Sequence, residues 1–196
     1  MTQTPRKLVA IGATHSAATG LLEAFLEGSC LAELNLTIPH LSGQIVRVNF
    51  EGRQVDLSLW DNKTDSKYAS SERLPHHDAQ IIVITFEIDS SEPLENIKEK
   101  CIEEAASIRS NIPIFLVGCN KELRHSRHVM EKFQKMSRLP VTVEQGEEIA
   151  RSISAWRYME CSPRTGEGVQ RVLEACALAS LVHSRRRTHK SACIIM

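Results

Sequence analysis

KLVAIGATHSAATGLLEAFLE, running from Lys7 to Glu27, is the stretch that decides the fold. Lys7 to Gly12 is a short apolar run closed by a glycine, which reads as a buried strand. Thr19 to Glu27 sets Leu21, Leu22 and Phe25 at helical spacing, and GATHSAA forms the loop between. Strand, a seven-residue loop that opens on glycine, and helix is the layout of a phosphate-binding loop, because a helix N-terminus offers free N–H groups to an anion. Gly12 and Thr19 keep the outer frame of such a loop. Many α/β domains open this way, so the rest of the chain carries the argument.

Working outward, Ile45 to Phe50 and Val55 to Trp60 alternate at period two around a Glu51-Gly52-Arg53 turn, a hairpin. Gln80 to Phe86 is a continuous apolar run, so a central strand covered on both faces. Ile114 to Gly118 is a second such strand, and Trp156 to Glu160 a last one. Helices are expected over Ser91 to Ile108, with Pro93 in the first turn, over Arg124 to Ser137, over Glu144 to Ile153, and over Gly166 to Val182. On the last of these Val169, Val172, Leu173, Cys176 and Leu181 share a face. Ser29 to Gly43 and Asp61 to His77 show no clean period and read as irregular. Strands alternating with helices predict an α/β fold with a mostly parallel central sheet, one antiparallel edge hairpin and helices on both faces.

Composition narrows the function. The 196 residues are 42% hydrophobic and 24% charged, which suits one globular domain and excludes disordered, collagen-like and coiled-coil chains. Basic and acidic residues balance at 24 each, so no global field draws the chain to nucleic acid. The six cysteines form no CxxC pair, which weakens zinc and dithiol readings and suggests reduced thiols in a cytosolic setting. No apolar stretch reaches the roughly 18 residues of a membrane span, and no signal peptide is expected. After Glu174 there is no acidic residue, while Arg185, Arg186, Arg187 and Lys190 crowd the end. His125 and His128, one helical turn apart, read as a solvated face, because two ligands do not make a zinc site. The turn at His76-His77-Asp78 reads the same way, and Cys161 and Cys176 read as core thiols. Trp60 and Trp156 read as strand residues.

Further segments complete a pattern: VDLSLWD (Val55 to Asp61), IDSSEPLENI, LVGCNKELR, YMECSPRTGEGV and the terminal Cys193-Ile194-Ile195-Met196. In order and spacing they resemble the Rho family of small GTPases over nearly the whole chain. The charged helix from Arg124 to Ser137 resembles the insert helix of that family. The resemblance implies a Ras-like P-loop NTPase fold over residues 1–182 with a basic tail over 183–196. It also implies GTP or GDP with Mg²⁺ as ligands, and effector or regulator proteins of the Rho type as partners.

Against the family pattern, the nucleotide motifs are altered. In the phosphate loop, GxxxxGK[ST], Ala17 and Ala18 stand for the second glycine and the lysine, so no side-chain cation faces the phosphates. Charged hydrogen bonds are worth roughly 1.5–3 kcal/mol each, so the loss weakens affinity by an order of magnitude or more. Thr19 keeps the Mg²⁺ hydroxyl. In DxxGQ, Asp61 keeps the metal-side carboxylate, Thr64 replaces the glycine, and Asp65 replaces the glutamine that orients the attacking water. The base-reading NKxD becomes Cys119-Asn120-Lys121-Glu122, and SAK becomes Ser162-Pro163-Arg164, where Pro163 has no N–H to give. Thr37 is the switch-threonine candidate by counting from Thr19, whereas counting back from Asp61 points to Pro39.

The expectation is therefore a pseudo-GTPase with weak or absent nucleotide binding, no nucleotide required and no confident catalytic residue, acting through protein contacts. The alternative is a divergent switch that binds GTP and hydrolyses it slowly. Cys193-Ile194-Ile195-Met196 fits a prenylation signal, and the upstream basic run supplies a second membrane signal. That combination suggests the cytoplasmic face of a membrane, the plasma membrane first, with a cytosolic pool.

Overall fold

A computed structural model describes residues 4–13, 17–28, 43–50, 52–62, 78–108 and 111–191, with backbone alone over 183–191. Six strands form one sheet: β1 (Arg6–Gly12), β2 (Gln44–Phe50), β3 (Arg53–Asp61), β4 (Ile81–Glu87), β5 (Ile114–Cys119) and β6 (Arg157–Glu160). The order is β2-β3-β1-β4-β5-β6. Only β2 and β3 pair antiparallel; β1–β3, β1–β4, β4–β5 and β5–β6 are parallel. The hairpin register joins Phe50 to Arg53, and Gly52 turns the chain at φ 72°.

The period-two strands alternate as expected. Val46, Val48, Val55, Leu57 and Leu59 are buried, while Arg47 and Asn49 face out. In β4 every residue from Ile81 to Phe86 is fully buried, because helices cover both faces. Beneath one face, α1 (Ala17–Glu27) and α5 (Val169–Ser191) bury Leu21, Leu22, Phe25, Val172 and Cys176 against Leu8, Val83 and Val117. Across the other face, α2 (Leu94–Ala106) and α4 (Val143–Ser152) bury Ile97, Cys101 and Ile149 against Val9, Ile84 and Leu116. The expected core thiols Cys161 and Cys176 are both fully buried.

Several boundaries differ from the sequence reading. Helix α2 starts at Leu94 rather than Ser91, so Pro93, with extended ψ 144°, is its N-cap and not part of its first turn. Helix α1 begins at Ala17, so the last two residues of the expected loop already belong to its first turn. The charged helix α3 spans Arg127–Lys135, because Lys121–Leu123 first make a 3-10 turn and Ser126 takes the N-cap. Helix α5 starts three residues later than Gly166, since Gly166 and Gly168 adopt φ 77° and 80°. It then runs on to Ser191, because no glycine or proline interrupts it. Trp156 lies just before β6 rather than in it, 48% exposed, with its backbone N–H donating to Ile114 O.

Candidate functional site

Parallel strands end on one edge of the sheet, and ligands of such sheets bind outside those carboxyl ends. Register aligns the ends here: Ala10 pairs with Asp61, Gly12 with Thr85, Glu87 with Cys119, and Gly118 with Glu160. The first turn of α1, the ends of β1, β3 and β5, and the loop after β6 therefore gather the candidate residues. Ala13 N–H donates to Thr85 O at 2.8 Å, tying the phosphate-loop entry to β4.

At the phosphate end Ala17 and Ala18 are 4% and 2% exposed and belong to the apolar core around Leu21 and Leu22. No cation replaces the lysine of the pattern at either position. Beside them the Thr19 hydroxyl donates to Asp61 Oδ2 at 2.7 Å, and the Asp61 carboxylate is fully buried. Octahedral Mg²⁺ with bonds of about 2.1 Å holds adjacent oxygens roughly 2.9 Å apart. The Thr19–Asp61 pair thus fits two neighbouring corners of a magnesium site, and a bound ion would supply charge to neighbouring phosphate oxygens.

At the base end the polar side chains are engaged with one another. Asn120, held at φ 62°, donates from Nδ2 to Asp89 Oδ1 at 3.0 Å. Lys121 pairs with Glu167, and its backbone N–H donates to Cys161 O. Arg164 donates from Nε to Glu122 Oε1 at 3.2 Å, while Glu122 Oε2 is buried and accepts no hydrogen bond among the described residues. Burial pushes the Glu122 carboxyl up, and the nearby Ser162 hydroxyl, its own backbone N–H and Arg164 more than reverse it, leaving it below the usual glutamate range. Ser162 is fully buried and its hydroxyl accepts from Thr165 N–H at 3.1 Å. Cys119, at the first position of the base motif, reaches the Ala17 carbonyl with its thiol at 3.8 Å and so joins the two ends of the site. The Cys161 thiol and then burial raise the Cys119 thiol well above its ordinary range, so it stays protonated.

A second cluster braces the base end. Arg124 forks onto Glu160, with Nη1 to Oε2 at 2.8 Å, and donates from Nε to Val141 O at 3.0 Å. The Tyr158 hydroxyl also donates to Glu160, and its ring stacks on Phe86 at 6.3 Å between centroids. Arg124 follows Glu122 by two residues and Glu160 precedes Ser162 by two, so this fork holds the two base-end loops together.

A family model described as Ras family matches residues 7–181. The GTP-binding protein RHO1 of Candida albicans is 34% identical over 191 residues, 97% of this chain and 96% of its own length. From Schizosaccharomyces pombe, the GTP-binding protein rho5 is 35% identical over 181 residues, 92% of this chain and 90% of its own. The GTP-binding protein rho1 of the same yeast is 34% identical over 190 residues, 97% and 93%. The chain belongs to the Rho family of small GTPases.

Within that Rho frame the structure brings together Gly12, Ala17, Ala18, Thr19, Asp61, Asn120, Lys121, Glu122, Ser162 and Pro163 on one sheet edge. Thr37, Thr64, Asp65 and Cys193 lie outside the described residues. Arg185, Arg186, Arg187 and Lys190 fall on the helical backbone of α5. His125 and His128 are both exposed, and no group of three or more metal-ligating residues occurs among the described residues. Asp78, from the histidine-rich turn, pairs with Lys7 at 2.6 Å, and that lysine lies 4.3 Å from the centre of the Trp60 ring. Sequence reasoning missed Asp89, Arg124, Glu160, Arg164 and Glu167 as partners of the site. Arg164 alone carried a signal, since it stands inside the last nucleotide motif.

Proposed function

We propose that this Rho-family chain is a membrane-attached signalling protein whose nucleotide cycle is weak or lost, and which acts through its protein-binding surface. One observation carries the reading. The base-end side chains Asn120, Lys121 and Glu122 are paired with Asp89, Glu167 and Arg164, while Ala17 and Ala18 fill the phosphate end with buried apolar atoms. A nucleotide entering there must displace internal pairs and gains no lysine contact.

The second reading is a divergent switch that loads GTP and hydrolyses it slowly. The Thr19–Asp61 spacing and the unpartnered Glu122 Oε2 favour it, as do the three relatives, each a protein named for GTP binding. Nucleotide content separates the two. The protein is purified in Mg²⁺, denatured, and its supernatant run on an ion-exchange column. No stoichiometric nucleotide is expected; about one guanine nucleotide per chain makes it a switch.

Membrane attachment rests on Cys193 of the terminal motif together with Arg185, Arg186, Arg187 and Lys190. A single lipid chain anchors marginally, and each basic residue near anionic lipid adds about 1 kcal/mol. Cys193→Ser is expected to move the protein from the membrane to the cytosolic fraction. Persistent membrane localisation of that variant would overturn lipid anchoring.

A further inference from the structure

We propose that Arg164 is a specificity-determining residue that occupies half of the Glu122 carboxylate, so that the base end accepts one purine N–H rather than two. The inference rests on the reading above only in taking Glu122 as the group that meets a base.

Glu122 offers two carboxylate oxygens with different fates. Oε1 already accepts from Arg164 Nε at 3.2 Å. Oε2 is buried and no hydrogen bond reaches it among the described residues, although the Ser162 hydroxyl lies near the carboxylate. A buried carboxylate oxygen without a donor is costly, so the position calls for a ligand N–H. The two sides of this pair differ in freedom. Arg164 is 71% exposed at its side chain, Glu122 15%. Glu122 is thus a fixed acceptor, and Arg164 is a movable cover on one of its oxygens.

Guanine presents two parallel donors, N1–H and the 2-amino group, spaced to meet both oxygens of a carboxylate. Hypoxanthine presents N1–H alone. With Oε1 covered, only one of the two guanine contacts forms without displacing Arg164. Pro163 removes the neighbouring backbone donor, so no N–H at that position offsets the loss by holding the opposite edge of the base. The 2-amino group therefore adds little, and guanine and hypoxanthine nucleotides bind alike.

The test compares GDP with IDP, each with Mg²⁺ up to millimolar concentration, by ligand-detected NMR titration. Wild type, Arg164→Ala and the double variant Arg164→Ala/Glu122→Gln are measured, with melting curves as folding controls. Wild type is expected to bind the two within about threefold. One recovered hydrogen bond to a charged acceptor corresponds to about tenfold or more, so Arg164→Ala gains that factor for GDP and less than about threefold for IDP. Glu122→Gln in the same background cancels the gain. A wild-type preference for GDP above about tenfold, an equal gain for both nucleotides, or no binding by any variant overturns the inference. Tight, stoichiometric wild-type GDP binding whose GDP-to-IDP ratio still responds to Arg164→Ala overturns the weakened-cycle reading and leaves this inference standing.

Discussion

Ala18 is where the departure from the Rho pattern is plainest at the scale of one residue. It is 2% exposed and sits among Ala17, Leu21 and Leu22. A lysine side chain there must either crowd that cluster or turn out toward the site. Ala18→Lys is expected to lower stability without nucleotide by about 1–3 kcal/mol in urea unfolding. The double variant Ala17→Gly/Ala18→Lys should then show a larger melting shift with Mg²⁺ and GDP than wild type, since an anion would draw the ammonium outward. An unchanged shift would mean that the loop does not approach phosphate at all. The altered residues of this site were legible in the sequence, because each stands inside a motif of fixed spacing. Their present partners were not: Asp89 meets Asn120 only because β4 and β5 are neighbours, a fact of the sheet and not of local spacing.

Between elements, two contacts hold the base end and both can be broken selectively. Gly146 lets α4 lie against β6: a Cβ on Gly146 would stand 2.2 Å from Tyr158 Cζ. Gly146→Ala should cost about 2–3 kcal/mol, and a smaller side chain at Tyr158 should recover part of it, which a double-mutant cycle in urea would detect as coupling. The Arg124–Glu160 fork gives a pH signature. Burial raises the Glu160 carboxyl, and Arg124 with Tyr158 lowers it further, leaving it below the ordinary value. A carboxylate depressed in the folded state stabilises above its unfolded pKa of about 4.3, and that contribution is lost as pH falls through the folded value. Wild type should therefore lose more stability than Glu160→Gln between neutral and about pH 3. A parallel acid limb for the two proteins would show that the fork is neutral. The strands were legible from apolar runs and alternation, whereas helix ends were not. Thr142 and Gln145 cap α4 reciprocally, and the paired positive-φ glycines before α5 delay its start; both depend on backbone geometry that hydrophobic period does not encode.

For the whole molecule, two apolar clusters lie on either side of the sheet, and neither includes a charged residue of the candidate site. Ligand at 100 times Kd adds about 2.7 kcal/mol, a shift of several degrees for a domain of this size. Millimolar GDP or GTP with Mg²⁺ is expected to move the wild-type melting temperature by less than about two degrees. A large shift with GTP and none with ATP would restore the switch reading. The pairing of Asn120, Lys121 and Glu122 with neighbours of their own chain reaches further than affinity. Linkage is reciprocal: a site whose filling scarcely changes the free energy of the protein cannot change the affinity of a distant partner. On the proposed reading, a partner that docks on this chain meets the same surface whether the cell is rich or poor in GTP. The signal would then be carried by how much of the protein is present and where it is held, a rheostat set by supply and address instead of a clock set by hydrolysis.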